Sequence, residues 1–143
     1  MVNTGGTISF TQRPSIASAG VIAGPVEKSS PFAEGFDEIL ETEKETNETY
    51  EQAASRFIEK ACSTAVKKAH EKMDNIDLLI GGDLVNQMSP SNFAARKLAI
   101  PYFGVFSACA SSMEAVIIGS LMLESGNAKN VLAGASSHHP SVE

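Results

Sequence analysis

The stretch Ser111–Glu124 constrains the fold more than any other part of the chain. It carries Met113, Ala115, Val116, Ile117, Ile118, Leu121, Met122 and Leu123, which fall on nearly every side of a helix. A helix that is apolar all round must be buried all round. A single sheet-and-helix layer built from 143 residues does not easily enclose one. The stretch therefore predicts a further layer, supplied by more chain or by a partner subunit.

The segments around it alternate between strand and helix. Tyr50, Ala53, Ala54, Phe57, Ile58, Ala61, Ala65, Val66 and Ala69 recur at helical spacing and predict one long amphipathic helix. Thr49 and Gln52 suit a capping box at its start, and Asp74-Asn75 marks its exit. Ile76–Ile80, Pro101–Ser107 and Asn130–Ala135 are short apolar runs that predict buried strands. A short helix is expected around Ser91 and Ala94–Leu98, with Ser89 or Ser91 as cap and Pro90 in its first turn. Strands with so few polar positions imply a parallel α/β sheet covered on both faces. The first 35 residues are rich in Gly, Ser and Pro; they offer a strand at Thr7–Phe10 and a strand edge with a turn in Ser18–Pro25. The acidic Asp37–Lys44 stretch is expected on the surface.

Composition narrows the function classes. Net charge is −6 and no basic stripe is present, so nucleic acid is not expected as a partner. The start, Met1–Gly6, lacks a basic region followed by an apolar one, so no secretory leader is expected. The apolar run Ala115–Leu123 falls far short of the roughly 20 residues that span a bilayer. The two cysteines, Cys62 and Cys109, form neither a disulfide framework nor a zinc pattern, which points to a reducing, cytoplasmic setting and no metal site. Asn47-Glu48-Thr49 matches a glycosylation acceptor, which has no meaning without a secretory leader.

Cys109 is the first site candidate. It lies between a buried strand and the all-apolar helix, at a strand's carboxyl end, where open α/β sheets bind ligands. Free N–H groups and the helix dipole stabilise a thiolate there. Small neighbours, Ala108, Ala110, Ser111 and Ser112, allow a sharp strand-to-helix elbow. The plain alternative is a small buried hydrophobe. Asp83 and Asn86 follow another strand end and would face this elbow if the strands are neighbours; an ordinary polar turn or cap is the alternative. His138 and His139 follow the last strand and offer a base for Cys109, or simply a solvated loop. Cys62, on the long helix, is expected to be a core thiol.

The segment Phe106–Glu114 resembles the nucleophile segment of the thiolase and ketoacyl synthase superfamily. More specifically, the chain resembles the stage V sporulation protein AD family nearly end to end. The resemblance is carried by Ser18-Ala19-Gly20, Ala23-Gly24-Pro25, Ile76–Leu79, Gly82-Asp83-Leu84, Asn86-Gln87, Asn92–Arg96, Ile100-Pro101, the Cys109 segment and Ala135–His138.

The resemblance implies a thiolase-like fold, in which two αβα halves form a five-layer sandwich with the helix after Cys109 in the central layer. It implies that residues 1–143 are the N-terminal half, since the family is about twice as long and its Cys-activating residues lie in the second half. It implies a protein that binds dipicolinic acid and helps move it into the forespore. Its partners would be the membrane proteins of the same operon, and its location peripheral to the spore inner membrane. A homo-oligomer is expected. Dipicolinate is a flat dianion, so the helix start with Ser111 and Ser112 as donors, together with Asn86 and His138, forms the expected binding set. Asp83 would repel the ligand unless a proton or a calcium ion intervened. Two further functions compete: an acyl-transfer enzyme with Cys109 as nucleophile and a coenzyme A thioester as co-substrate, and a structural subunit of a spore-membrane complex.

Overall fold

The computed structural model describes residues 2–138, with side chains from residue 5. Its centre is a three-stranded parallel sheet. The strands are β5 (Leu78–Gly82), β6 (Tyr102–Gly104) and β7 (Val131–Ala135), in the order β6-β5-β7. Four short strands in two pairs precede it. β1 (Val2–Thr4) and β2 (Thr7–Ser9) form an antiparallel hairpin, turning on Gly5 and Gly6, both with positive φ. β3 (Ile22–Ala23) pairs in parallel with β4 (Glu38–Ile39).

A helix packs on each face of the central sheet, but only β5 is buried; β6 and β7, expected as buried strands, are half-buried to exposed because they are the two edges of a three-stranded sheet. Successive residues of a strand point to opposite faces, and β5 shows this directly. Leu79 packs with Ala95 and Ile100 on the side of α2 (Ser89–Leu98), with Cys62 of α1 (Tyr50–Lys68) against the same cluster. Ile80 packs with Val105 and Ala115 on the side of α3 (Ser111–Glu124). The chain leaves β5 through α2 to reach β6, then crosses back over β5 through α3 to reach β7. Right-handed crossovers in opposite directions place the two helices on opposite faces.

α1 begins as its sequence dictates. The Thr49 side chain accepts from the Gln52 N–H, and the Gln52 side chain accepts from the Thr49 N–H. α2 begins differently from expectation. Its cap is Met88 in a left-handed conformation, with Ser89 and Pro90 already helical, and Ser91 hydrogen-bonds Asp83 instead of capping. The acidic residues Asp37, Glu38 and Glu41 lie exposed on the surface, as expected, and Asp37 makes contacts there. Asp37 accepts from the Val21 N–H at 2.9 Å and pairs with Lys68 at 2.7 Å, which holds its carboxyl below the usual range.

α3 is only half covered, which is why its sequence calls for a further layer. The sheet covers only one side of it, through Ala115 and Gly119, while Met113 and Ile117 stand 61% and 54% exposed. Phe103 and Phe106 are exposed as well. The expected enclosure of this helix is absent among the described residues because no layer of theirs lies over its outer side.

A segment running from β2 to β3 ties the halves together. The Thr11 and Gln12 N–H groups donate to the two Glu124 carboxylate oxygens at the end of α3, at 2.9 and 2.8 Å. Ser18 Oγ donates to the Ala65 carbonyl of α1 at 2.7 Å. Gly20 must be glycine, since a Cβ there would lie 2.2 Å from the Ala61 carbonyl oxygen. The Thr11 and Gln12 donors pull the Glu124 carboxyl down to about 2. A depressed carboxylate pKa stabilises the fold above the unfolded value and loses that contribution as pH falls toward the folded one. Glu124→Gln should therefore flatten the acid limb of the stability curve between about pH 4.5 and pH 2, read by thermal unfolding across that window.

Candidate functional site

The loops after β5 and β6 diverge, because α2 and α3 lie on opposite faces. Open α/β sheets place their ligands outside the carboxyl ends of adjacent strands where the connections diverge, so the ends of β5 and β6 are the candidate strand-end crevice. The Cys109 elbow follows β6. Ala108, at φ 46, makes the sharp turn, Ala108–Ala110 is a single 3-10 turn, and α3 starts at Ser111. The elbow is pinned from within. The Ser107 N–H donates to Ser111 Oγ at 3.0 Å, and Ser107 Oγ bonds the Glu114 carboxylate. Cys109 itself is exposed.

Ser111 is 2% exposed and holds the turn, so its hydroxyl already serves the elbow. Ser112 is half-buried on the first turn of α3. Asp83 ends β5 and is 3% exposed. Its carboxylate accepts from the Val85 N–H at 2.8 Å, the Ser91 N–H at 3.0 Å and Ser91 Oγ. It anchors the first turn of α2 and does not point its charge at an incoming anion. Asn86 is exposed on the loop between Asp83 and α2.

His138 is turned to another task. It is 7% exposed, with its ring 5.4 Å from the Phe57 ring and 6.2 Å from the Tyr50 ring, both on α1. Its Nε2 lies 3.2 Å from the Glu43 carbonyl oxygen. His139 lies outside the described residues. Cys62 is the core thiol expected from its position, and burial pushes its pKa up to about 11, with Glu59 adding to the effect.

Two features escaped the sequence reading. One is Met88, whose sulfur and methyl lie over Gly82 and Gly104 at the ends of β5 and β6. The other is a groove of about 620 Å³ between Pro14–Ile22, α1 and β7. None of the six expected binding residues lines that groove.

A family model described as stage V sporulation protein AD matches residues 4–143. The chain belongs to the stage V sporulation protein AD family. The stage V sporulation protein AD of Bacillus subtilis (strain 168) is 39% identical over 128 residues, which is 90% of this chain and 38% of that protein. This family member therefore spans well under half the length of that relative. Among solved structures, 3-oxoacyl-[acyl-carrier-protein] synthase III from Aquifex aeolicus VF5 superposes with a TM-score of 0.55 at 23% identity. The match covers 65% of this chain and 31% of that one. It shows that this member of the stage V sporulation protein AD family has a thiolase-like fold.

Proposed function

We propose that this chain is a non-catalytic, ligand-binding member of its family that takes part in dipicolinate uptake into the forespore. It forms the N-terminal half of a thiolase-like domain. Family membership over nearly the whole chain carries the reading. The exposed elbow supports it, since the positive end of the α3 dipole suits a carboxylate, with the Ser111 N–H itself taken by the Ala108 carbonyl. Ser112 and Asn86 add donors, and His138 is held against α1 as a structural residue. With Asp83 already bonded to its own loop, a calcium ion carried with dipicolinate would be held by the ligand more than by the protein. No helix of the described residues is long and apolar enough to cross a membrane, so passage through the bilayer falls to membrane partners of the same system.

Calorimetric titration with dipicolinate, with and without calcium, tests this. Binding should be lost in Cys109→Trp, which fills the elbow. Equal affinity in that variant would defeat the proposed site.

An acyl-transfer enzyme is the second reading, favoured by the exposed thiol on a strand-to-helix elbow. Fast reaction with iodoacetamide at neutral pH and an acyl adduct from a coenzyme A thioester would establish it. The exposed Phe103, Phe106, Met113 and Ile117 are the surface a second layer would cover, in cis or in a homo-oligomer. Sedimentation of this chain should give a mass above 15.1 kDa, and Ile117→Lys should return it to the monomer mass.

A further inference from the structure

Gln87 and Met88 are consecutive non-glycine residues in the left-handed region, at φ 60 and φ 50. A side chain with a Cβ disfavours that conformation, and two in succession persist only where the surroundings hold them. Asn92 supplies the hold. Its amide donates to the Gln87 carbonyl at 3.0 Å and to the Met88 carbonyl at 2.9 Å.

The strained turn lays the Met88 thioether over the ends of β5 and β6. A Cβ on Gly104 would lie 2.8 Å from Met88 Cε, and one on Gly82 would lie 3.4 Å from Met88 Sδ. The two strand ends thus lack side chains where Met88 lies, at the point where β5 and β6 send their helices to opposite faces. Methionine is unbranched and easily repacked. The residue is only half-buried, so no core must break for it to leave.

We propose that Met88 is a movable plug in the strand-end crevice. In the conformation described, its thioether fills the space that a flat aromatic dicarboxylate takes when bound. Relaxation of the Gln87-Met88 turn swings it aside, and the sulfur then packs against the face of the ligand ring. The proposal rests on the crevice being the ligand site, and it adds the residue that regulates access to it.

The plug competes with the ligand, so removing it raises apparent affinity by the inverse of the fraction of molecules in which the crevice is open. In the full 143-residue chain, Met88→Ala should bind dipicolinate about tenfold more tightly than the native protein. Asn92→Ala, which unpins the turn, should shift affinity the same way to a smaller extent. Unchanged or weaker binding in Met88→Ala overturns the proposal.

A second measurement needs no ligand. The Met88 methyl, labelled with carbon-13, should show exchange on the microsecond-to-millisecond scale by relaxation dispersion, and more of it in Asn92→Ala. A methyl without exchange in both proteins overturns the plug. If the native chain fails to bind dipicolinate, the proposed function falls, and the methyl measurement alone decides whether the plug exists.

Discussion

Gly82→Ala should leave the chain unable to hold its central sheet. A Cβ at this position would lie 1.9 Å from the Val105 carbonyl oxygen and 3.2 Å from its carbon. These are backbone atoms immediately beyond β6, and no rotamer change can clear them. β5 and β6 would have to separate, breaking the Val105 N–H to Gly81 carbonyl bond of 3.0 Å. Overpacking of this kind costs about 3 kcal/mol or more, a large share of the stability of a small domain. Chemical denaturation should show a lowered midpoint or no cooperative transition. Gly134→Ala is the control, since a Cβ there meets nothing within 4 Å. Its midpoint should shift by no more than about 0.5 kcal/mol.

Asp83→Ala should be the next most damaging change, at about 3 kcal/mol in urea unfolding. The carboxylate gathers three donors while 3% exposed. Removing it leaves the N–H groups of Val85 and Ser91, and the Ser91 hydroxyl, without their acceptor in a nearly dry site. Asp83→Asn keeps one acceptor oxygen and should fall between the two. A ligand-contact role for Asp83 would give the opposite pattern, with binding lost and the unfolding midpoint preserved.

Local signals in the sequence were legible because local physics sets them. The Thr49–Gln52 box needs only a hydroxyl and an amide three residues apart, and it forms as read. α3 spans the residues its apolar content marks, and β6 and β7 fall within the apolar runs that foretold them, while β5 runs on past Ile80 through the two glycines expected to turn. Contacts between distant residues were not legible. The Glu43–His138 contact joins positions 95 residues apart, and nothing in either neighbourhood announces it. The role of Asp83 depends on how α2 folds back over β5, so a turn residue and a helix anchor look alike beforehand. Met88 was missed because a left-handed methionine breaks the usual preference for glycine or asparagine. The elbow around Cys109 and Ser111 forms on β6, and Asp83 stands at the neighbouring strand end, but His138 is committed to the aromatic rings of α1.

The contrast between the two sulfurs has a practical consequence. Cys62 is packed against the Leu79 cluster, with burial driving its titration far into the alkaline range, while Cys109 faces solvent. A maleimide dye added at neutral pH therefore finds one address in the native chain, and no cysteine has to be engineered away first. The reporter then sits on the turn before α3, and a change in its emission on adding dipicolinate would be a direct test of the proposed site.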